Sequence, residues 1–61
     1  MKKNDFLRHL KTNGCILLRE GSKHSIWQNP KNNNQSSVHR HNDIDNMLCR
    51  AICNQLDIPS I

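Results

Sequence analysis

The residues best suited to chemistry in this sequence follow a glycine, in the segment Gly21-Ser22-Lys23-His24. Histidine gains and loses a proton near neutral pH, which makes it a common general acid or base. Lys23 and the nearby Arg19 bring positive charge close to it in the sequence. Gly21 permits a tight turn, through which backbone amides could approach a phosphate.

These residue types match the needs of RNA cleavage. The RNA supplies its own nucleophile, the 2′-hydroxyl group. The protein has only to remove the proton of that group and stabilise the charge that builds on the phosphoryl oxygens. One histidine with Lys23 and Arg19 nearby would meet both needs. The alternative is that His24 is an ordinary exposed residue of a strand, and the residue types alone leave both interpretations open.

A second polar cluster, His39-Arg40-His41, precedes an amphipathic segment. If that segment is a helix, its N-terminus favours a bound phosphate. The cluster therefore indicates an RNA-contacting loop, with a solvated polar loop as an equal alternative.

Zinc binding is a weaker alternative for the same region. The sequence lacks the usual Cys-x-x-Cys pair, and its two later cysteines, spaced four residues apart, also fit the buried flank of a helix. The four ligands of such a site would be His39, His41, Cys49 and Cys53. We expect no metal site and no cofactor.

Composition sets further limits. Nine Lys and Arg residues against five Asp and Glu residues give a net charge of +4 on 61 residues, and the basic residues are spread along the chain. A positive folded surface favours anionic partners such as RNA, with simple solubility as the alternative. With 34% hydrophobic residues, one Phe and one Trp, the chain can pack helices on a sheet but cannot build a deep pocket. This argues against a conventional small-molecule enzyme.

Cysteine usage and the first residues bear on location. Three cysteines are an odd number for a disulfide framework, and they favour a reducing compartment. The basic start continues into polar residues rather than an apolar stretch, so we expect no signal peptide. No apolar run has the length of a membrane span. We therefore expect a cytoplasmic protein with no membrane partner.

The pattern along the chain predicts five elements. Helical spacing of apolar residues predicts a first helix over about residues 4–13, with Asn4 or Asp5 as N-cap and Gly14 as its left-handed stop. Residues 15–19, 24–29 and 35–38 favour strands, and residues 30–34 are rich in turn formers. Two hairpins would then join three antiparallel strands.

The last element is the most strongly amphipathic. Its apolar stripe, at steps of three and four residues, predicts a helix that begins with Asp43 or Asp45 as N-cap and ends at residues 57–59. The stripe consists of Ile44, Met47, Leu48, Ala51, Ile52 and Leu56, and we expect Met47, Leu48 and Ile52 in the core. The chain therefore predicts one α+β domain over residues 1–61, in the order α-β-β-β-α, with both helices on one face of the sheet. Trp27 is expected in the core, with base stacking or a partner-binding patch as alternatives.

The order of several short motifs resembles the HicA family of toxins. They are a lysine-rich start before Phe6-Leu7, then Asn13-Gly14, Gly21-Ser22-Lys23-His24, Ile26-Trp27, Asn29-Pro30, a Val-x-Arg-His segment and a terminal Ile-Cys-x-x-Leu-x-Ile helix. The similarity extends over essentially the whole chain. It implies a small endoribonuclease of a type II toxin-antitoxin module, with a fold like that of double-stranded-RNA-binding domains.

The resemblance also implies roles for single residues and partners. The family cleaves mRNA with one histidine, which corresponds to His24. It is held inactive by a HicB antitoxin, and it meets operator DNA through the toxin-antitoxin complex. Around the histidine we expect RNA contacts from Ser22, Lys23, Arg19, Arg40 and His41. The alternatives of other classes are an RNA-binding domain without catalysis and a protein-interaction module that uses Trp27.

The sequence departs from the family pattern at one position. His39 stands where the family commonly has a proline before Arg-His. Loss of that proline is expected to loosen the backbone at the start of the loop, because proline restricts the chain. The expected consequences are a shifted His41 or altered activity.

Overall fold

The computed structural model describes residues 1–60, which form two helices and three strands in the order α-β-β-β-α. The elements are α1 (Lys3–Thr12), β1 (Ile16–Glu20), β2 (His24–Asn29), β3 (Asn34–His39) and α2 (Asn46–Leu56). The element order and the antiparallel sheet confirm the predicted α+β class. Ile61, the last residue of the predicted domain, lies outside the described residues. Neither helix of the described part is long and apolar enough to cross a membrane.

The central strand of the sheet is β2, with β1 and β3 paired antiparallel on its two sides. Successive side chains of a strand point to opposite faces. Burial alternates accordingly along β2, where Ser25, Trp27 and Asn29 are buried. We call this side the inner face, which packs against the helices, and the opposite side, which carries His24 and Ile26, the outer face.

The core lies between the inner face and the two helices. Phe6 and Leu10 of α1 and Leu56 of α2 are fully buried, and they cluster with Trp27 and Val38 of the sheet. Burial of apolar surface is the main favourable term for a fold of this size. Both helices therefore pack on the same side of the sheet and leave the outer face open.

Helix α1 is capped differently from our prediction. Neither Asn4 nor Asp5 is its N-cap, since the helix already begins at Lys3. The Lys3 amide donates to the carbonyl oxygen of Asn42 at 2.8 Å, so the loop before α2 satisfies one of the amides that a helix leaves open at its start. At the other end Gly14 has φ +86°, which confirms the predicted left-handed stop.

Helix α2 begins later than the apolar stripe suggested. Asp45 is its N-cap and accepts a hydrogen bond from the Met47 amide at 3.3 Å. Ile44 is buried but precedes the helix, and Met47, which we expected in the core, is 75% exposed. The helix begins at Asn46, so Ile44 does not share its face, and its buried residues are Cys49, Ile52, Cys53 and Leu56.

The loop between β2 and β3 is one residue shorter than predicted. Asn34 belongs to β3 and pairs with Asn29, so the loop is residues 30–33 rather than 30–34. Asn33 has φ 61°, in the left-handed region that asparagine tolerates better than most residues. The length of this loop fixes which residues of β2 and β3 face each other.

Asn29 links this loop to α2, and its replacement by alanine is expected to destabilise the fold. Its Nδ2 donates to the Leu56 carbonyl oxygen at 2.8 Å, and its Oδ1 accepts from the Lys31 amide at 3.1 Å. The side chain is buried, so Asn29→Ala removes two hydrogen bonds and costs about 1–3 kcal/mol, with Asn32 Nδ2 at 3.2 Å remaining as a donor to Leu56. Thermal unfolding would measure this loss. The exposed Asn34→Ala is the matched control, and equal melting temperatures of the two variants would contradict the prediction.

Candidate active site

Two histidines face each other across the paired strands β2 and β3. His24 begins β2 and His39 ends β3, and the two residues are paired in the register of these strands. Both lie on the outer face because their neighbours, Ser25 and Val38, are buried on the inner face. The ring centroids are 4.5 Å apart and the ring planes are tilted by 57°. The fold thus places two proton-exchanging groups side by side on an open surface.

A third histidine extends this pair. The ring of His41 lies 5.9 Å from that of His39, with 29° between the planes. We call His24, His39 and His41 the histidine cluster. With Lys23 and Arg40 its members line a shallow depression of about 490 Å³. His39 belongs to β3 and pairs with His24, so the strand extends one residue further than predicted before the loop begins.

Hydrogen bonds hold the loop before β2 against the loop after β3. The Arg40 guanidinium donates from Nη1 to the Gly21 carbonyl oxygen at 3.0 Å, and the Arg40 amide donates to the Lys23 carbonyl oxygen at 3.3 Å. The Gly21 amide donates to the His24 carbonyl oxygen at 2.7 Å. A Cβ atom at Gly21 would lie only 3.1 Å from that same oxygen, so the glycine permits this close approach. Lys23 and Arg40 therefore lie on two loops that hydrogen bonds hold together.

The six residues predicted for the site lie around two neighbouring depressions. Lys23, His24, Arg40 and His41 come together in the depression described above. Arg19 and Ser22 lie in a second depression of about 320 Å³, which shares Lys23 and His24 with the first. The predicted residues thus form a continuous strip with His24 at its centre.

The strip is positively charged. No carboxylate of residues 1–60 lines either depression. Among the same residues the one ion pair joins Arg8 to Asp5 at 3.8 Å, so Arg19, Lys23 and Arg40 have no acidic partner. Unneutralised cations beside proton-exchanging groups are the combination that binds a phosphodiester and assists its cleavage.

The N-terminus of α2 does not provide the anion site that the loop suggested. Asp45 caps the helix and turns its carboxylate toward the open amides, accepting from Met47. A carboxylate there opposes a phosphate at the same place. Contacts to RNA from this loop would come from Arg40 and His41 rather than from the helix end.

The four ligands of the zinc alternative are not brought together. Cys49 and Cys53 are buried in the core, whereas His39 and His41 line the open depression. Burial raises the pKa of the Cys49 thiol, which disfavours the thiolate that binds zinc. In the described chain no group of three or more His, Cys, Asp or Glu residues is arranged to hold a metal ion.

Trp27 belongs to the core, as expected. Its side chain is 3% exposed, and its Nε1 donates to Ser25 Oγ at 3.1 Å. A ring buried on the inner face cannot stack on a base at the outer face. The stacking alternative was therefore wrong.

The exposed apolar surface lies on β1 instead. All five residues of this edge strand are exposed, and Ile16, Leu17 and Leu18 each leave 46–47% of their surface open. Between β1 and α1 runs a groove of about 430 Å³, with Leu7 and Trp27 in its lining. Exposed apolar edge strands are typical of surfaces that a partner covers.

Sequence reasoning placed His39 in a polar loop, as a replacement for a proline, and missed its pairing with His24. The signal for this pairing was present in the hairpin pattern. A four-residue turn at 30–33 pairs His39 with His24, whereas a turn at 30–34 places Arg40 there. The predicted length of the turn therefore decided whether His24 and His39 were predicted to face each other.

Comparison with known proteins supports the resemblance. The family model described as the HicA toxin of bacterial toxin-antitoxin systems matches residues 4–58. No curated protein and no solved structure shows significant similarity to the chain. The match covers both helices but for one residue of α1, and all three strands with the histidine cluster. The chain belongs to the HicA toxin family of bacterial toxin-antitoxin systems.

Proposed function

We propose that the protein is a toxin that cleaves mRNA as a metal-independent endoribonuclease, with His24 as its catalytic histidine. The supporting observation is the position of His24, which lies on the open outer face between two depressions lined by cations. Membership in a toxin family gives such a site a biological purpose.

The reaction needs few groups. His24 in its neutral form takes the proton of a 2′-hydroxyl group, and the oxygen attacks the adjacent phosphorus. Lys23 and Arg40 stabilise the negative charge that builds on the phosphoryl oxygens. Arg40 is held for this task by its hydrogen bond to Gly21, so little reorganisation is needed when the phosphate arrives.

The remaining predicted residues bind the RNA on either side of the cleaved bond. Arg19 and Ser22 line the depression on one side of His24, and His41 lines the one on the other side. Phosphate contacts of this kind position the strand without reading its sequence. A single strand can follow the strip because the outer face is uncovered.

The partners follow from the same proposal. A toxin of this family requires an antitoxin, and we propose one of the HicB type that covers the catalytic histidine. The half-exposed side chains of β1 support a protein partner on this molecule. Operator DNA would be reached only through the toxin-antitoxin complex, and the protein would act in the cytoplasm as one domain.

The test is cleavage of a long single-stranded RNA in EDTA, followed by analysis of the product ends. Attack by the 2′-hydroxyl predicts a 2′,3′-cyclic phosphate on one fragment and a 5′-hydroxyl on the other. An oligonucleotide with one 2′-deoxy residue at a mapped cleavage site is the matched control, and it is expected to resist cleavage at that bond alone.

Two results would contradict the proposal. Cleavage of the deoxy bond would show that the 2′-hydroxyl is not the nucleophile. RNA binding without cleavage would favour the non-catalytic RNA-binding module, and absence of salt-dependent RNA binding would favour a protein-interaction module.

A further inference from the structure

We propose that His39 is the second proton-transfer residue of the site and protonates the leaving 5′ oxygen of the RNA. This inference rests on the proposed ribonuclease function. It starts from the placement of His39, which faces His24 in the strand register with 4.5 Å between ring centroids. Both side chains are half-buried on the outer face and open into the same depression.

RNA cleavage by the 2′-hydroxyl moves two protons. One leaves the 2′ oxygen as it bonds to phosphorus, and one must reach the 5′ oxygen as its bond to phosphorus breaks. An alkoxide is a poor leaving group, so protonation of the 5′ oxygen accelerates the step. A site with one histidine leaves that second proton to water.

The histidine pair completes this balance. Neutral His24 accepts the 2′ proton while the imidazolium of His39 donates a proton to the 5′ oxygen. The products are a 2′,3′-cyclic phosphate and a 5′-hydroxyl group, and the enzyme ends with His24 protonated and His39 neutral. Exchange of protons with water restores the starting state. No oxidant, reductant or metal ion enters the balance.

Distance and strand pairing favour His39 over its neighbours for this role. His39 is fixed by strand pairing, whereas His41 lies on the loop after β3 and is exposed. Lysine and arginine side chains hold their protons at neutral pH and serve better as phosphate ligands. Ring centres 4.5 Å apart allow a single phosphodiester to contact both His24 and His39. The stacked ring of His41 limits the orientations of His39.

The experiment compares His39→Gln with the parent on two substrates. One is an RNA oligonucleotide that the parent cleaves at a mapped bond. The other is the same RNA with sulfur in place of the 5′ oxygen of that bond. A thiol is far more acidic than an alcohol, so the thiolate leaves without protonation. We expect His39→Gln to lower cleavage of the normal RNA by about 10²-fold or more and to cleave the sulfur substrate at roughly the parent's rate.

Folding and the proposed function have their own controls. An unfolded variant would cleave neither substrate, so cleavage of the sulfur RNA at the parent's rate shows that the site is intact. His24→Gln is expected to lose cleavage of both substrates, because the proton of the 2′-hydroxyl group must still be removed. The remote His9→Gln, which lies on α1, is expected to behave like the parent.

The pH dependence gives an independent measurement. The groups that face the pair are Lys23 from the loop before β2, and Arg40 and His41 from the loop after β3, and none of them is acidic. A base and an acid acting together give a bell-shaped profile of kcat/KM against pH. His39→Gln is expected to lose the limb at high pH, where the parent's acid becomes deprotonated.

Each outcome decides between the two proposals. Equal activity of His39→Gln and the parent on normal RNA would overturn the role of His39 while leaving that of His24 intact. Equal loss on both substrates in a folded His39→Gln variant would also overturn it, since His39 would then not act on the leaving oxygen. Full activity of His24→Gln would instead overturn the proposed function itself.

Discussion

RNA cleavage by the His24→Gln variant is expected to be about 10²–10⁴ times slower than cleavage by the parent. Glutamine keeps the polarity of the side chain but does not exchange a proton near neutral pH. Binding of RNA should change little, because the cations of the strip remain in place. Single-turnover cleavage and fluorescence anisotropy with a labelled RNA would measure the two quantities separately.

The controls for His24→Gln separate chemistry from folding. The variant should melt at the same temperature as the parent, since His24 lies on the outer face and outside the core. His9→Gln removes a histidine from α1 and is expected to leave cleavage unchanged. A His24→Gln protein that cleaves within a few-fold of the parent rate would return this histidine to the status of an ordinary strand residue.

The largest expected effect on stability comes from Phe6→Ala, which should remove a large part of the free energy of unfolding. Phe6 is fully buried at the centre of the cluster between α1, α2 and the sheet. Truncating a buried phenylalanine costs about 3–5 kcal/mol. A chain of this length has a total stability of about 3–9 kcal/mol, so the loss is comparable to the whole. The melting temperature should fall by at least roughly 12 °C.

Trp27 is a convenient reporter for this experiment because it is the sole tryptophan of the sequence and is buried in the same cluster. Its emission should shift toward that of exposed tryptophan in Phe6→Ala. Met47→Ala is the matched control, because Met47 is 75% exposed and its truncation should change stability by no more than about 0.5 kcal/mol. Similar melting curves for the two variants would mean that the core is not centred on Phe6.

The element order could be predicted because local signals in this chain agree with the fold. Gly14 ends α1 where its left-handed conformation is needed, and the turn formers after Asn29 separate two strands. The start of α1 could not be predicted in the same way. Its first amide bonds to Asn42, a residue distant in the sequence, and no local pattern encodes that contact.

The packing of α2 is a second feature that the sequence alone did not predict. Met47 and Cys49 both fit an amphipathic stripe, and the stripe alone does not tell which of them is buried. Packing against the sheet decides the matter, and it buries Cys49 and leaves Met47 exposed. Ile44 belongs to the sequence pattern but precedes the helix, so its burial says nothing about the face that carries Met47.

Single residues of the candidate site could be predicted, but the pairing of His24 with His39 could not. Chemistry and family resemblance pointed to His24 and its cations, and the structure places these residues together. The neighbour across the strands depends on whether Asn34 belongs to the turn or to β3. Since a shift of one residue moves a strand's side chains to the other face, this single assignment concealed His39.

The location of His24 on the central strand also has a consequence for how the protein can be switched off. Amide hydrogens of a central strand exchange slowly, because exposing them requires breaking hydrogen bonds on both sides. β2 has a strand on each side, and even at its first residue the Gly21 amide bonds to the His24 carbonyl oxygen. Local opening that displaced His24 would have to break its pairing with β3 and its hydrogen bond to Gly21. If His24 is the catalytic residue, we expect reversible control from a molecule that lies over the histidine rather than from opening of the strand that carries it.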